Sequence, residues 1–300
     1  MGMRIALTGG GGLVGRAVAA EFRSHGHLVR RLVRPPSCPR SGEIVWDPEA
    51  GSIDIAGLEG IDAVVHLAGE PLTALRWTAA KKRAIYESRV SGTILLASAL
   101  AQLQNPPAVF VSQSAVGFYG NRGDEILQED SCEGTGFLAN VASAWERATH
   151  EASANGIRVV HLRGAPVVAS RSPFVTRLLP AFRLGLGGRF GSGRQWWPWI
   201  SLSDVVGIVS HVIRHQDVRG PVNVVSPEIL TNRQFAATLG RVLGRPAFIP
   251  LVSPVLQTLM GDVARDMLLS SQRAVPFRLL SSGYQFRFPI LEAALRYALD

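Results

Sequence analysis

The first half of the chain alternates short apolar runs with longer segments of helical periodicity. The apolar runs predict strands at Arg4–Thr8, His27–Val33, Ala63–Leu67, Ala108–Ser112 and Arg158–Arg163. The segments between them predict helices at Leu13–Ser24, Ala79–Leu103 and Phe137–Asn155. Because the run Ala63–Leu67 is apolar at nearly every position, its strand is expected to be covered on both faces. The pattern predicts an α/β fold with a doubly wound parallel sheet.

The pattern changes after about Ala165. Residues Leu184–Pro198 are rich in glycine and end in tryptophans, so no regular element is expected there. A helix over Val205–Arg214 and a strand over Val222–Val225 follow, and the remainder to Asp300 is mostly helical with proline breaks. We therefore expect a sheet domain from 1–165 plus about 203–225. A smaller, mostly helical C-terminal lobe is expected from 166–202 and 226–300.

A run of four glycines, Gly9 to Gly12, lies between the first strand and the first helix. Gly9, Gly12 and Gly15 have the spacing G-x-x-G-x-x-G, and the helix is expected to begin at Leu13 and Val14 with free N–H groups facing the turn. Glycines let a pyrophosphate approach the backbone, and the helix N-terminus attracts its charge. The position predicts a dinucleotide site, although turns and helix caps also collect glycine.

Composition limits the alternatives. The chain has 300 residues, 47% of them hydrophobic and 18% charged, which is enough to build a large core. No long apolar span or signal peptide is apparent, and Cys38 and Cys132 are too few for a disulfide framework or a metal site. The net charge of +8 comes from scattered arginines, which argues against a nucleic-acid partner. A cytoplasmic protein without a membrane anchor is expected.

The end of the second strand indicates which dinucleotide binds. An acidic residue there would bind the ribose hydroxyls of NAD, whereas arginine accommodates the 2′-phosphate of NADP. The strand ends at Arg34, and no Asp or Glu occurs between Glu21 and Glu43. Arg34 is therefore the predicted phosphate partner, with Arg30 or Arg31 as assistants, and Arg40 completes this basic group. The alternative is a set of arginines that only solvate a strand end.

These features resemble the extended short-chain dehydrogenase/reductase superfamily. The matching segments are Thr8–Gly15, His66-Leu67-Ala68-Gly69 and Val111-Ser112-Gln113-Ser114. More narrowly, the chain resembles the "epimerase family" proteins of the atypical group. The segments that carry this narrower likeness are His66–Glu70, Arg76-Trp77, Ser88-Arg89-Val90, Phe182–Gly188, Gly191–Ile200, Gln272–Pro276 and Gly283–Phe286. The resemblance covers nearly the whole chain.

The resemblance implies an NADP-binding Rossmann domain and an oxidoreductase or epimerase whose substrate is unsettled. It also implies that Gly9, Gly12 and Gly15 line the pyrophosphate and that Arg34 takes the 2′-phosphate. Leu67, Ala68 and Gly69 would lie behind the adenine-side ribose. The alternative is that Leu67 and Ala68 are, first of all, core residues of the strand.

The superfamily usually performs its chemistry with a serine and a Tyr-x-x-x-Lys pair. Ser114 lies where the serine is expected. With Glu146 as anchor, however, the tyrosine position holds Leu138 and the lysine position holds Ala142. The two lysines of the chain, Lys81 and Lys82, do not follow any tyrosine at the required spacing and are expected to form a solvated helix face.

Other groups could supply the missing chemistry. Tyr119 is the nearest titratable candidate, and Asn140 and Ser143 could position a water. His66 is expected to pack at a strand end, while Arg163 and Asp204 are expected to support the fold. The loop Gly185–Gly193 with the following Arg194, Gln195, Trp196 and Trp197 either contacts the substrate or anchors the C-terminal lobe.

Two functions remain open from the sequence. The first is an NADP-dependent oxidoreductase or epimerase acting on a small polar carbonyl or sugar-like substrate, with Ser114 and Tyr119 as catalytic candidates. The second is an NADP(H)-binding regulatory protein without turnover. The resemblance allows a link with cell division, which some bacterial and plastid members of the family that this chain resembles have. A homodimer is a candidate assembly.

Overall fold

The elements of the chain follow the predicted alternation of strands and helices. The computed structural model describes residues 2–35 and 42–300, so Cys38 and Arg40 lie outside the described residues. The strands are β1 (Arg4–Thr8), β2 (Leu28–Val33), β3 (Ile44–Asp47), β4 (Ser52–Ile53), β5 (Ala63–His66), β6 (Val109–Ala115), β7 (Ile126–Leu127), β8 (Arg158–Gly164), β9 (Val167–Val168), β10 (Ile200–Ser201), β11 (Gly220–Val224) and β12 (Arg273–Ala274). The α-helices are α1 (Leu13–Ser24), α2 (Ala79–Ala101), α3 (Phe137–Arg147), α4 (His150–Ala154), α5 (Pro173–Arg183), α6 (Leu202–Arg214), α7 (Asn232–Val242), α8 (Ser253–Met260), α9 (Phe277–Ser281) and α10 (Leu291–Leu299).

The central sheet has the order β11-β8-β6-β5-β1-β2-β3-β4. Neighbouring strands run parallel except β3 and β4 at one edge, which are antiparallel. The chain moves outward from β1 through β2 and β3 and then returns to the other side of β1 at β5. This reversal opens a crevice at the carboxyl ends of β1 and β5, where doubly wound folds bind ligands. The predicted fold class is confirmed.

Both faces of the sheet are covered because successive strand residues point to opposite sides. Ile5 and Leu7 of β1 pack in one cluster with Phe22 of α1 and Val209 of α6. Ala6, between them, packs in a second cluster with α2 and α4. The apolar runs are therefore buried on both sides, which explains why they lack polar alternation.

A separate hydrophobic cluster lies outside the sheet. It is built from α5, α7, α8 and α10 around Trp197, Trp199 and Phe235. Its residues come from the segments 166–202 and 226–300 that the sequence assigns to a C-terminal lobe, while α6 and β11 return to the sheet. Within the described ranges, no helix combines the length and the apolar character needed to cross a membrane.

Two local features differ from the sequence-based expectation. The predicted helix Phe137–Asn155 is two helices, α3 and α4. Thr149 lies at the break and donates from its hydroxyl to the carbonyl of Glu146 at 2.8 Å, competing with the regular helical bonds. The outermost strand β4 and its neighbour β3 were not predicted either, because each is a short run and β4 pairs on one side alone.

A chain of hydrogen bonds fastens β1, β5 and α2 together beneath the crevice. The Thr8 hydroxyl accepts the N–H groups of Leu67 (3.0 Å) and Ala68 (3.2 Å), so its own proton points to His66 Nδ1 at 2.7 Å. His66 Nε2 then donates to Thr93 Oγ1 at 3.0 Å, and Thr93 donates to the carbonyl of Arg89. These bonds require a neutral imidazole with its proton on Nε2. The prediction that His66 packs at a strand end is confirmed by its complete burial.

Burial lowers the pKa of His66 to about 3 from the usual 6.5. As the pH falls, His66 is therefore protonated in the unfolded chain before it is protonated in the folded protein. The stability that His66 contributes is present above about pH 6.5 and is lost progressively from there towards pH 3. We expect the free energy of unfolding to fall with pH more steeply in the wild type than in His66→Gln, by up to about 1.4 kcal/mol per pH unit. Urea unfolding at several values between pH 7.5 and 4 measures both slopes. Parallel slopes for wild type and His66→Gln would contradict the assignment.

Candidate functional site

The glycine turn leaves an open helix N-terminus at the crevice. Gly9 has a φ of +68°, and a Cβ there would lie 2.7 Å from the carbonyl carbon and oxygen of Leu67. A Cβ at Gly15 would lie 2.2 Å from the carbonyl oxygen of Gly9, so α1 packs tightly on the turn. Gly11, by contrast, faces open space. Two of these glycines are thus required by the fold itself, while Gly11 leaves room for a ligand.

No side chain caps α1. Its N-cap is Gly12, and the first turn carries no acidic residue. Among the described residues, the N–H groups of Leu13, Val14 and Gly15 have no hydrogen-bond acceptor. Free N–H groups at the positive end of a helix dipole attract an anion. The arrangement fits the pyrophosphate of a dinucleotide.

The arginines within β2 and directly after it are not equivalent. Arg30 donates to the carbonyls of Gly42 and Gly57 at 3.1 and 2.7 Å, so its guanidinium is engaged in the fold. Arg31 forms an ion pair with Glu43 at 2.5 Å. Arg34 is exposed and makes no hydrogen bond or ion pair within the described part of the chain. Of the three, Arg34 has the guanidinium that is free to bind a 2′-phosphate.

The segment after β5 forms the other wall of the crevice. Leu67 and Ala68 are held by their N–H bonds to the Thr8 hydroxyl, and Gly69 is exposed. The backbone of this run lies against Gly9, as the close approach described above requires. Leu67, Ala68 and Gly69 are therefore brought together with Gly9, Gly12 and Gly15, as the sequence predicts for a cofactor cleft. Thr8, which does the fastening, was not predicted as part of this site.

Ser114 and Tyr119 belong to one buried network. The Ser114 hydroxyl donates to Glu146 Oε1 at 2.7 Å, and Arg163 binds both oxygens of the same carboxylate at 2.8 and 2.9 Å. Arg163 also donates to the Tyr119 hydroxyl at 2.9 Å. That hydroxyl lies 2.6 Å from the amide oxygen of Asn223, to which it donates. The fold thus joins the two predicted catalytic side chains indirectly, through an ion pair.

The charges of this network are balanced internally. Burial opposes the Arg163 charge, but the hydrogen bonds and the charge of Glu146 outweigh burial and raise the pKa of Arg163. Burial also raises the pKa of Tyr119, against the influence of the neighbouring arginine. Proton release from Tyr119 is therefore harder than from an exposed tyrosine. Its side chain is fully buried, and a catalytic role for it stays a prediction.

The two positions of α3 at which the sequence alignment expects the tyrosine and the lysine of the superfamily hold apolar residues. Leu138 packs in a cluster with Trp77, Val141 and Val263, and Ala142 is buried. Ser143, which could have positioned a water, donates instead to Glu133 and accepts from Arg147 at 2.5 Å. At these positions, α3 therefore carries no titratable side chain that could act as an acid or a base.

The glycine- and tryptophan-rich loop is a packed connector. Gln195 Nε2 donates to the carbonyls of Phe190 and Leu268, and Trp197 lies in the core of the C-terminal cluster. Trp196 donates to Asp124 at 2.8 Å and stacks with Arg273. Of the two alternatives left open by the sequence, these contacts match anchoring of the C-terminal lobe.

The structure shows the contacts of several charged residues that the sequence analysis considered. Lys81 forms an ion pair with Glu70 at 2.5 Å, and Lys82 forms one with Asp262, so the prediction of a solvated lysine face is wrong. Asp204 binds the N–H groups of Arg287 and Phe288 and so supports the fold, although Ser201 caps the helix. Arg89 lies beside Gly69, and the sequence gives it no role beyond its place in the matching segment Ser88-Arg89-Val90.

The crevice, the open helix and the glycine turn define a nucleotide-binding α/β protein of the Rossmann type. The model of the NAD dependent epimerase/dehydratase family matches residues 5–225, and a domain of unknown function, DUF1731, matches residues 253–298. An epimerase family protein of Mycobacterium leprae is 38% identical over 98% of this chain and 95% of its own length. The chain belongs to the NAD dependent epimerase/dehydratase family.

Solved structures agree with this membership. The crystal structure of human epimerase family protein SDR39U1 (isoform 2) with NADPH has a TM-score of 0.89 and 36% identity, covering 99% of each chain. A nucleoside-diphosphate sugar epimerase from Corynebacterium glutamicum has a TM-score of 0.82 and 35% identity, covering 100% of this chain and 58% of that one. The resemblance stated from sequence motifs is confirmed, and the predicted cofactor agrees with the NADPH of the human protein.

The glycine geometry yields a stability prediction. Gly9→Ala should lower the free energy of unfolding by at least about 2 kcal/mol, since it combines a positive φ with a clash against Leu67. Gly11→Ala should change it by less than about 1 kcal/mol, because its Cβ enters open space. Urea unfolding without nucleotide compares the two variants. Equal destabilisation by both would show that the turn is packed differently.

Proposed function

We propose that this protein binds NADP(H) in the crevice between β1 and β5. The observation that carries the proposal is the uncapped N-terminus of α1 behind an exposed glycine turn. In this proposal the N–H groups of Leu13, Val14 and Gly15 bind the pyrophosphate, and Gly9 and Gly12 give it access. Arg34 binds the 2′-phosphate, and Leu67, Ala68 and Gly69 support the adenine-side ribose.

We further propose that the protein is an oxidoreductase or epimerase acting on a polar carbonyl or sugar-like substrate. Family membership supports an enzyme, and the Corynebacterium relative named as a nucleoside-diphosphate sugar epimerase supports a sugar-like substrate. The bound nicotinamide supplies hydride transfer. Ser114 is the candidate that hydrogen-bonds the substrate oxygen, and Tyr119 is the candidate proton donor. A cytoplasmic location and a homodimer remain parts of the proposal.

A second function, NADP(H) binding without turnover, is favoured by one specific observation. The two hydroxyl groups that could transfer a proton already donate hydrogen bonds within the protein: Ser114 donates to Glu146, and Tyr119 donates to Asn223. Leu138 and Ala142 add no acid or base. A protein that reports the NADPH level to a partner, for example in cell division, needs the cofactor cleft alone.

Arg34 generates the prediction that tests the cofactor. Wild type should bind NADPH more tightly than NADH, and Arg34→Met should weaken NADPH binding by about tenfold to a hundredfold while NADH binding is unchanged. The loss reflects charge-assisted hydrogen bonds to the 2′-phosphate. Fluorescence titration with both nucleotides gives the Kd values. The exposed Arg183→Met is the matched control, and equal affinity of the wild type for NADPH and NADH would refute the role of Arg34.

A substrate screen separates the two functions. Polar carbonyl compounds are tested with the NADPH-loaded protein and nucleotide sugars with the NADP⁺-loaded protein, with Ser114→Ala and Tyr119→Phe beside the wild type in both assays. An enzyme should turn over at least one compound, and Ser114→Ala should lower kcat by about a hundredfold if Ser114 binds the reacting oxygen. The exposed Ser91→Ala should match the wild type. No turnover by the wild type with NADPH binding intact would reject the enzyme and leave the binding protein.

A further inference from the structure

The positive charge of the chain is concentrated in the C-terminal lobe. Residues 166–202 and 226–300 contain 13 arginines and five acidic residues, so their excess of positive charge equals the net charge of +8 of the whole chain. The segment 166–202 contains no acidic residue. The rest of the chain has equal numbers of acidic and basic side chains. An anion that approaches the protein is therefore attracted to this lobe.

Three arginines of the lobe meet at one glycine turn. Gly193 closes the turn by donating its N–H to the carbonyl of Phe190 at 3.0 Å, and its φ is +69°. A Cβ at Gly193 would lie 2.8 Å from the Cδ of Arg189 and 3.1 Å from the Cβ of Arg233. Arg194 follows Gly193 directly in the chain. The turn therefore brings Arg189, Arg194 and Arg233 together in one arginine cluster.

Backbone contacts hold the arginine cluster in place. The carbonyl of Gly193 accepts the N–H of Arg233 at 2.9 Å, which joins the turn to the first turn of α7. The buried side chain of Asn232 accepts the N–H of Phe190 at 2.7 Å. Arg189 and Arg233 are far apart in the sequence, and these two bonds keep their backbones close to each other. The charges of the cluster therefore stay together in the folded protein.

The guanidinium groups of the cluster lack counter-charges. Elsewhere in the lobe an arginine pairs with a carboxylate, as Arg241 does with Glu292 at 2.5 Å. Within residues 2–35 and 42–300, the side chains of Arg189, Arg194 and Arg233 have no hydrogen bond, ion pair or ring contact. The Nε of Arg189 is sealed from solvent without an acceptor, while its Nη1 and Nη2 stay open. An anion at Nη1 and Nη2 would reduce the repulsion between the three charges and offset part of this desolvation cost.

We propose that the arginine cluster binds a phosphoryl group. Each guanidinium offers a planar fork of N–H donors, and the cluster carries three positive charges. A phosphomonoester brings about two negative charges and three strong acceptor oxygens, and pyrophosphate brings more of both. A carboxylate has a single charge and two oxygens, so it would leave most of the cluster unpaired. The residues of the cluster are separate from those that the proposed function assigns to NADP(H).

Calorimetric titration with inorganic pyrophosphate tests the proposal. NADPH is present in excess, so that the start of α1 is occupied. Wild type should bind pyrophosphate, Arg189→Met should weaken this binding by about tenfold or more, and the more exposed Arg233→Met by about threefold or more. Arg183→Met is the matched control, because it removes an exposed and unpaired arginine from the same lobe. It should change the affinity by less than about twofold.

A lipid headgroup offers the same phosphoryl chemistry, and a second measurement distinguishes the two sources. Exposed Leu251 lies beside the cluster, because its N–H donates to the carbonyl of Arg189 at 2.9 Å, and exposed Val252 follows it. Flotation compares phosphatidylcholine vesicles with and without phosphatidic acid, whose headgroup is a phosphomonoester. Binding to phosphatidic acid that Arg189→Met reduces supports a lipid as the source. Pyrophosphate binding without vesicle binding supports a soluble phosphorylated ligand.

Three results would overturn the proposal. The first is a wild type that binds neither pyrophosphate nor phosphatidic acid vesicles. The second is wild-type binding by both Arg189→Met and Arg233→Met, and the third is a loss in Arg183→Met as large as in Arg189→Met, which would show a general effect of charge. Because Arg233 is exposed, its replacement tests the cluster even if Arg189→Met does not fold. If wild type does not bind NADPH, the proposed function fails, and the same titration without NADPH still tests the cluster.

Discussion

The Thr8 hydroxyl is the contact on which the cleft depends. It accepts two N–H groups from the run after β5 and donates to the buried His66, so it extends the pairing of β1 and β5 beyond their last backbone partners, Thr8 and His66. Gly9 packs closely on Leu67 beside these bonds, and any side chain at Gly9 would collide with the backbone. The open end of α1 is then fixed against the same wall. The contacts that shape the cofactor cleft are thus the same contacts that hold the ends of β1 and β5 together.

The interior ion pair between Glu146 and Arg163 explains how the site can be rigid and yet lack mobile protons. Each oxygen of the carboxylate is bound by the guanidinium, and the remaining bonds reach Ser114 on one side and Tyr119 on the other. A buried pair whose hydrogen bonds are filled holds its geometry, whereas breaking either partner leaves an uncompensated charge. Any chemistry at Ser114 must therefore proceed beside a carboxylate that already accepts three hydrogen bonds.

Much of the fold could be predicted from the sequence, because strands that are buried on both faces consist of apolar runs. The cofactor cleft could be predicted for a similar reason: Gly9, Gly15 and the absence of an acidic residue before Arg34 are local sequence features with direct geometric consequences. Contacts between segments that are distant in the sequence could not be predicted from it. The pairing of Lys81 with Glu70 and the position of Arg89 against Trp145 depend on how α2 lies across the sheet. The burial of Tyr119 likewise depends on Asn223, which is far away in the sequence.

A crystal structure of the protein grown with NADPH tests the central claim most directly. The account predicts pyrophosphate density at the N–H groups of Leu13, Val14 and Gly15, with the 2′-phosphate on Arg34. It also predicts the adenine-side ribose against Leu67, Ala68 and Gly69, with no tyrosine or lysine side chain within hydrogen-bonding distance of the nicotinamide-side ribose. Pyrophosphate density away from the start of α1, or a 2′-phosphate that does not contact Arg34, would contradict the account.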